Sequence, residues 1–247
     1  MNFIGGYPTY GEVIGIIKLD TVEPKVPGNI GNATSYHFPV KYKIVKGATV
    51  ERLVEKNDPT LLDLFIDAAK ELEKEGVKAI TNSCGFGAIF QKEITEVVEI
   101  PVFMSSLIQV PLVSSMLGKN KKVGIITANK KRLTNKHLES VGINNIPICI
   151  AGMEEQENFL NIILRQKPSG NVYKIENEIV TVAKDLAKNN PETGAIVIEC
   201  TDLPPFSAVV QEALDLPVFD INTLINYVYN AVVQKKYTGI LPRVEQQ

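Results

Sequence analysis

The chain has 247 residues, 45% hydrophobic and 22% charged, with 26 basic against 28 acidic side chains and a net charge of -2. These proportions build a buried core and exclude extensive disorder, and the near-neutral balance, with no long single-sign run, argues against a nucleic-acid partner. Three dispersed cysteines (Cys84, Cys149, Cys200) and two histidines (His37, His137) make a poor disulfide or zinc framework and favour a reducing compartment.

In chain order, the first basic residue is Lys18, and Pro8 and Glu12 interrupt the apolar N-terminal stretch, so no signal peptide is expected. Val13–Lys18 is a short apolar run, typical of a strand buried on both faces of a parallel sheet. Pro24 to Tyr42, with Pro27-Gly28-Asn29-Ile30-Gly31-Asn32, is turn-rich and predicts a long loop, either functional or an ordinary surface excursion. His37 lies in it and could reach a cleft, although a lone histidine is more often a surface residue. Asp58-Pro59 then starts a helix carrying Leu61, Leu62, Phe65, Ala68, Ala69 and Leu72 on one face and stopping at Gly76. Lys78–Asn82 is the next strand. The uncharged stretch Ile100 to Gly118 holds Pro101, Pro111 and Gln109, and reads as a strand (Val102–Phe103), a loop and a short helix rather than a membrane span.

The second half repeats this grammar. Val123–Thr127 and Ala195–Ile198 are strands, Tyr173 to Lys188 is a helix with Ile175, Ile179, Val182, Ala183 and Leu186 inward, and Val218–Phe219 is a short strand behind a proline. Cys149, among aliphatics in Ile146-Pro147-Ile148-Cys149-Ile150, is expected in the core. A last helix, about Asn222 to Lys235, is expected to pack back on the first lobe. Gly5-Gly6 with Gly11 is no dinucleotide fingerprint, because no strand precedes it.

The two halves align. Ala79-Ile80-Thr81-Asn82-Ser83-Cys84 matches Ala195-Ile196-Val197-Ile198-Glu199-Cys200, and the same offset carries Pro101-Val102-Phe103 onto Pro217-Val218-Phe219. Ala69-Lys70-Glu71-Leu72 matches Ala183-Lys184-Asp185-Leu186, and Gly15-Ile16-Ile17 matches Gly124-Ile125-Ile126. The expected fold is α/β: two similar lobes of parallel sheet flanked by helices, related by internal duplication, with right-handed crossovers and the active site in the cleft between them. Residues 1–112 plus 221–247 form the first lobe, and 113–220 the second.

Ligands of open α/β sheets bind beyond the carboxyl ends of the strands, where Cys84 and Cys200 both stand. An approximate two-fold would set them on opposite walls of one cleft, with helix-start N–H groups lowering both thiol pKa values. Two facing thiols suit proton removal from one side of a carbon and delivery to the other. Gly85 and Gly87 let backbone approach a ligand, Phe86 could pack on it, and Asn82, Ser83 and Thr127 are candidate orienting groups.

The segments Asn82-Ser83-Cys84-Gly85-Phe86 and Glu199-Cys200-Thr201-Asp202, with the duplicated lobes, resemble the aspartate/glutamate/hydantoin racemase superfamily. The resemblance implies cofactor-independent proton transfer next to a carbonyl by Cys84 and Cys200, without pyridoxal phosphate or metal. It adds Thr201 and Asp202 to the substrate-binding set, and Lys18, where glutamate racemases carry an aspartate, with Asp20 close by. The family's usual Cys-Asn-Thr is Cys84-Gly85-Phe86 here, and its usual glycine before the second cysteine is Glu199. The expected function is a racemase or epimerase of a small amino acid, hydantoin or related carbonyl compound. A dicarboxylate isomerase or decarboxylase using the same cysteines, or a non-catalytic binding protein, are the rivals. A small-molecule substrate, no nucleic acid, no membrane, a homo-oligomer (dimer or larger) and a cytoplasmic home complete the expectation.

Overall fold

Seven strands form two all-parallel sheets in the computed structural model, which describes residues 2–240. In the first, β1 (Ile14–Leu19) lies between β2 (Val40–Val45) and β3 (Ala79–Asn82), and Val102 adds a single bridge to Ile80 beyond β3. In the second the order is β5-β4-β6-β7, from β4 (Lys122–Thr127), β5 (Ile148–Gly152), β6 (Thr193–Ile198) and β7 (Val218–Phe219). The helices are α1 (Leu61–Lys74), α2 (Gln91–Thr95), α3 (Val110–Met116), α4 (Asn135–Ser140), α5 (Glu157–Phe159), α6 (Val172–Asn189), α7 (Ser207–Leu214) and α8 (Ile221–Val232). None of the described helices is long and apolar enough to cross a membrane.

The repeat in the sequence is a repeat of register. Ile14 faces Ala79 as Val123 faces Ala195, and Ile80 meets Val102 as Ile196 meets Val218. The crossover helices obey it too. A Cβ added at Gly15 would lie 3.1 Å from the Leu72 side chain of α1, and one at Gly124 would lie 2.8 Å from Leu186 of α6. Each lobe thus presses the same leucine of its crossover helix onto the same glycine of its central strand, and the missing side chain is what admits the helix.

Three expectations need correction. β2 begins inside the stretch assigned to loop, and β5 holds Cys149 half-buried against Thr193 rather than deep in the core. Both are edge strands with half-solvated faces, so neither carries the continuous apolar run of a central strand. Phe103 belongs to no strand, because beyond β3 the pairing shrinks to the Val102 bridge. α8 runs Ile221–Val232, starting behind a capping box in which Asp220 and Thr223 exchange side-chain and backbone hydrogen bonds. Its Ile221, Leu224 and Ile225 pack with Ile14, Ile16 and Phe103 of the first lobe. Residues 241–247 of the expected first lobe lie outside the described residues.

Candidate active site

Asn82 ends β3 and its side-chain oxygen accepts the Cys84 N–H at 2.9 Å, while its amide donates to the Met104 carbonyl. This clamp turns the chain sharply after the strand, so Cys84 faces out of the sheet end. Cys200 leaves β6 in the equivalent place. Both line one cavity between the lobes, with Lys18, Ser83, Gly85, Phe86, Thr201 and Asp202. Two π-helical turns, Glu51–Glu55 and Leu160–Leu164, contribute Val54 and Ile163 from matching positions of the two lobes. π-turns of this kind recur at functional sites. The cavity holds about 20 Å³, roughly one water.

Among the expected site residues, Asn82 and Thr127 do not line the cavity: both are fully buried and act on neighbours. Ser83 is tied across the lobes, since its carbonyl accepts the Thr201 hydroxyl at 2.7 Å. Asp202 accepts the side-chain amide of Asn29 at 2.6 Å, which brings the long Pro24–Tyr42 stretch to the site through Asn29. Lys18 donates to Thr21 at 2.8 Å, beside the Lys25–Glu23 ion pair. Asp20 is exposed and His37 packs edge-on to Phe38 and Tyr229, both away from the cavity.

The two-fold correspondence breaks at one pair. In the first lobe the Leu19 N–H donates to the Ser83 hydroxyl at 2.9 Å. In the second the equivalent Ala128 N–H donates to the carboxylate of Glu199 at 3.3 Å, and the Thr127 hydroxyl donates to the same oxygen, Oε2, at 2.8 Å. Glu199 is fully buried and its other oxygen, Oε1, has no hydrogen-bond partner. That oxygen lies 2.0 Å from where a Cβ on Gly85 would sit. The close approach at Gly85 is therefore made by a glutamate of the opposite lobe, and that at Gly87 by Asn82, where the sequence suggested a ligand. Phe86 lines the cavity but is wholly buried, its ring edge-on to that of His137 at 5.0 Å.

The thiols are not poised as expected. Burial first, and the Glu199 charge second, push the Cys84 thiol far above its ordinary value; burial and then the Asp202 charge do the same to Cys200. The segment after Cys84 is a six-residue 3-10 turn, and a helix-start field so short does not offset lost hydration. Burial raises Glu199 to about 7 against the Thr127 and Ala128 hydrogen bonds, and raises Asp202 to about 6, with Glu23 adding to it. Lys18 is lowered by burial and by Lys25. Sequence reasoning missed Glu199, Glu23 and Asn29. Only Glu199 gave a signal, as a lone acid ending the apolar run Ala195–Ile198.

The Asp/Glu/Hydantoin racemase family profile matches residues 43–225. A dimethylsulfoniopropionate lyase of Durusdinium sp. clade D is 33% identical over 234 residues, covering 92% of this chain and 77% of the lyase. Dimethylsulfoniopropionate lyase 3 of Emiliania huxleyi is 31% identical over 237 residues, covering 92% of this chain and 61% of its own. Among solved structures, the Picrophilus torridus aspartate racemase superposes with a TM-score of 0.53 at 15% identity, covering 90% of this chain and 94% of its own. A glycine-to-cysteine mutant of arylmalonate decarboxylase reaches 0.57 at 15% identity, covering 91% of this chain and 95% of its own. At these identities the structures establish the shared fold.

Proposed function

The chain belongs to the aspartate/glutamate/hydantoin racemase family, and from that premise we propose that it is a lyase which removes the proton α to a carboxylate and expels a leaving group from the β-carbon. The substrate class is a small β-onium carboxylate, with dimethylsulfoniopropionate as its type. The observation that carries this reading is the inequivalence of the two cysteines. A racemase works alike from either mirror image and wants matched acid/base groups on both faces; here one lobe offers Ser83 where the other offers Glu199. An elimination needs a base on one face only. The names of the relatives that share 31–33% of residues with this chain support the same choice.

Cys84, the more accessible thiol and the one near Lys18, is the base. As thiolate it takes the α-proton. The released C–H electron pair becomes the Cα–Cβ double bond while the Cβ–S bond breaks, its electrons leaving on sulfur. The products are a neutral sulfide and acrylate, and one proton is left for the protein to shed. Lys18 faces the substrate carboxylate and stabilises the charge that builds there as the α-carbon loses its proton. Cys200 serves packing and orientation in this scheme.

Proton NMR of the protein with dimethylsulfoniopropionate tests it. Vinyl signals of acrylate with release of dimethyl sulfide are expected, falling by about 10³ in Cys84→Ser and much less in Cys200→Ser. Loss reserved to Cys200→Ser would exchange their roles. No cleavage, with α-proton exchange of an amino acid or hydantoin in D2O, would return the chain to racemisation; CO2 release from a malonate would make it a decarboxylase.

A further inference from the structure

We propose that Glu199 is the proton acceptor for the Cys84 thiol, so that the working pair of this site is a cysteine and a glutamate from opposite lobes. The inference rests on the reading of Cys84 as the base. Oε2 of Glu199 is fixed by the Thr127 hydroxyl and the Ala128 N–H, which leaves Oε1 free, buried and set against Gly85, the residue after Cys84. An unpartnered buried carboxylate oxygen is costly to keep, and the residue that carries it lines the cavity that holds the thiol.

The other groups around it are no better acceptors. Asp202 already accepts from Asn29, Lys18 is a cation that only donates, as it does to Thr21, and the Cys200 thiol is more deeply buried than Cys84. His137 packs on Phe86 and accepts the Thr134 N–H at Nδ1. The charged or titrating groups that bear on Glu199 are thus Asp202, Cys84 and Cys200.

With Glu199 at about 7 and the thiol pushed upward, the resting state above pH of about 7 is thiol plus carboxylate. Oε1 has no hydrogen-bond partner at rest, so the Cys84 side chain must first rotate towards it. Transfer then breaks the S–H bond, leaves its pair on Sγ and forms an O–H bond on Oε1, giving thiolate and neutral acid with no change in the buried charge. The thiolate then takes the substrate's α-proton and becomes thiol again. The proton that leaves per turnover is the one on Glu199.

Alkylation of Cys84 by iodoacetamide, followed against pH by peptide mass spectrometry, reads the pair without substrate. In the wild type the rate should rise through pH of about 7. Glu199→Gln should lose that rise and react about tenfold more slowly at neutral pH. Asp202→Asn should keep it at a somewhat lower pH, because the Asp202 charge raises Glu199. Alkylation of Glu199→Gln as fast as wild type, or faster, overturns the proposal, since removing a negative charge alone eases thiol ionisation. Should Glu199→Gln not fold, Thr127→Val tests the same point: losing a hydrogen bond that lowers Glu199 should move the rise upward, and an unmoved profile refutes the pair. Because no substrate is involved, either result stands apart from whether dimethylsulfoniopropionate is cleaved.

Discussion

At Gly85 one hydrogen atom stands in for a side chain because the opposite lobe occupies the space. A methyl there would meet Glu199 Oε1 at 2.0 Å and the Glu199 carbonyl oxygen at 2.4 Å. The side-chain clash can be relieved by rotation, but the carbonyl is on the backbone just after β6, where the Glu199 N–H is tied to the Ile126 carbonyl, and cannot readily turn away. Gly85→Ala therefore forces the lobes apart, with an expected cost of about 1–3 kcal/mol, or a fall in melting temperature of roughly 2–4 °C per kcal/mol by calorimetry. A melting temperature equal to wild type would mean that the lobes give way freely. The cysteines themselves were legible, since a repeated strand end followed by cysteine marks them in the one-dimensional pattern. The state of the thiols was not. Their dehydration comes from burial in a cavity lined by both lobes, and Glu199 gains its meaning only when the fold sets it on Gly85, a residue far away in the chain.

Between elements, the glycine–leucine contact is the joint of each lobe, and the two copies differ in tightness. At Gly15 the nearest atoms to an added Cβ stand at 3.1 Å and are branch tips of Leu72 and Val77, which can yield; strand geometry also favours alanine over glycine by roughly 0.5–1 kcal/mol. At Gly124 both Leu186 and Ile196 stand at 2.8 Å, one on the helix and one on the neighbouring strand. Gly15→Ala is expected near neutral and Gly124→Ala destabilising by about 1 kcal/mol or more, in urea unfolding of the two variants side by side. Equal effects would show that the lobes are packed to one tolerance. Helices α1 and α6 and strands β1, β3, β4 and β6 were readable because each carries an unbroken apolar pattern fixed by burial on two sides. β2, reading Val40-Lys41-Tyr42-Lys43-Ile44-Val45, alternates like a solvated surface, and β5 is only half-buried, so neither announces itself.

For the molecule as a whole, the buried site charges set how stability varies with pH. Glu199 is raised to about 7 in the folded state, so folding favours its protonated form. That stabilisation is complete below the ordinary glutamate range and is lost as pH climbs through about 7. Asp202, raised to about 6, acts in the same sense. His137 opposes them: burial lowers it to about 4, so its contribution is complete above the ordinary histidine value and lost as pH falls through about 4. Glu199→Gln mimics the protonated glutamate and should exceed wild type by about 1 kcal/mol at pH 5 and by about 3 kcal/mol at pH 8. Urea unfolding at the two pH values decides this, and a variant weaker than wild type at pH 8 would contradict the burial cost assigned to the carboxylate.

The return of α8 to the first lobe has a consequence for the order in which the protein comes into being. The apolar side of the first sheet, with Ile14, Ile16 and Phe103, is covered by Ile221, Leu224 and Ile225. On a translating ribosome that surface is made early and stays open while roughly 120 further residues emerge, about 6–24 s at ordinary rates of synthesis. The second lobe, contiguous in sequence, can close during the wait. Throughout that interval the nascent first lobe keeps an apolar face open, and a fragment truncated before Ile221 would leave that face uncovered and invite aggregation.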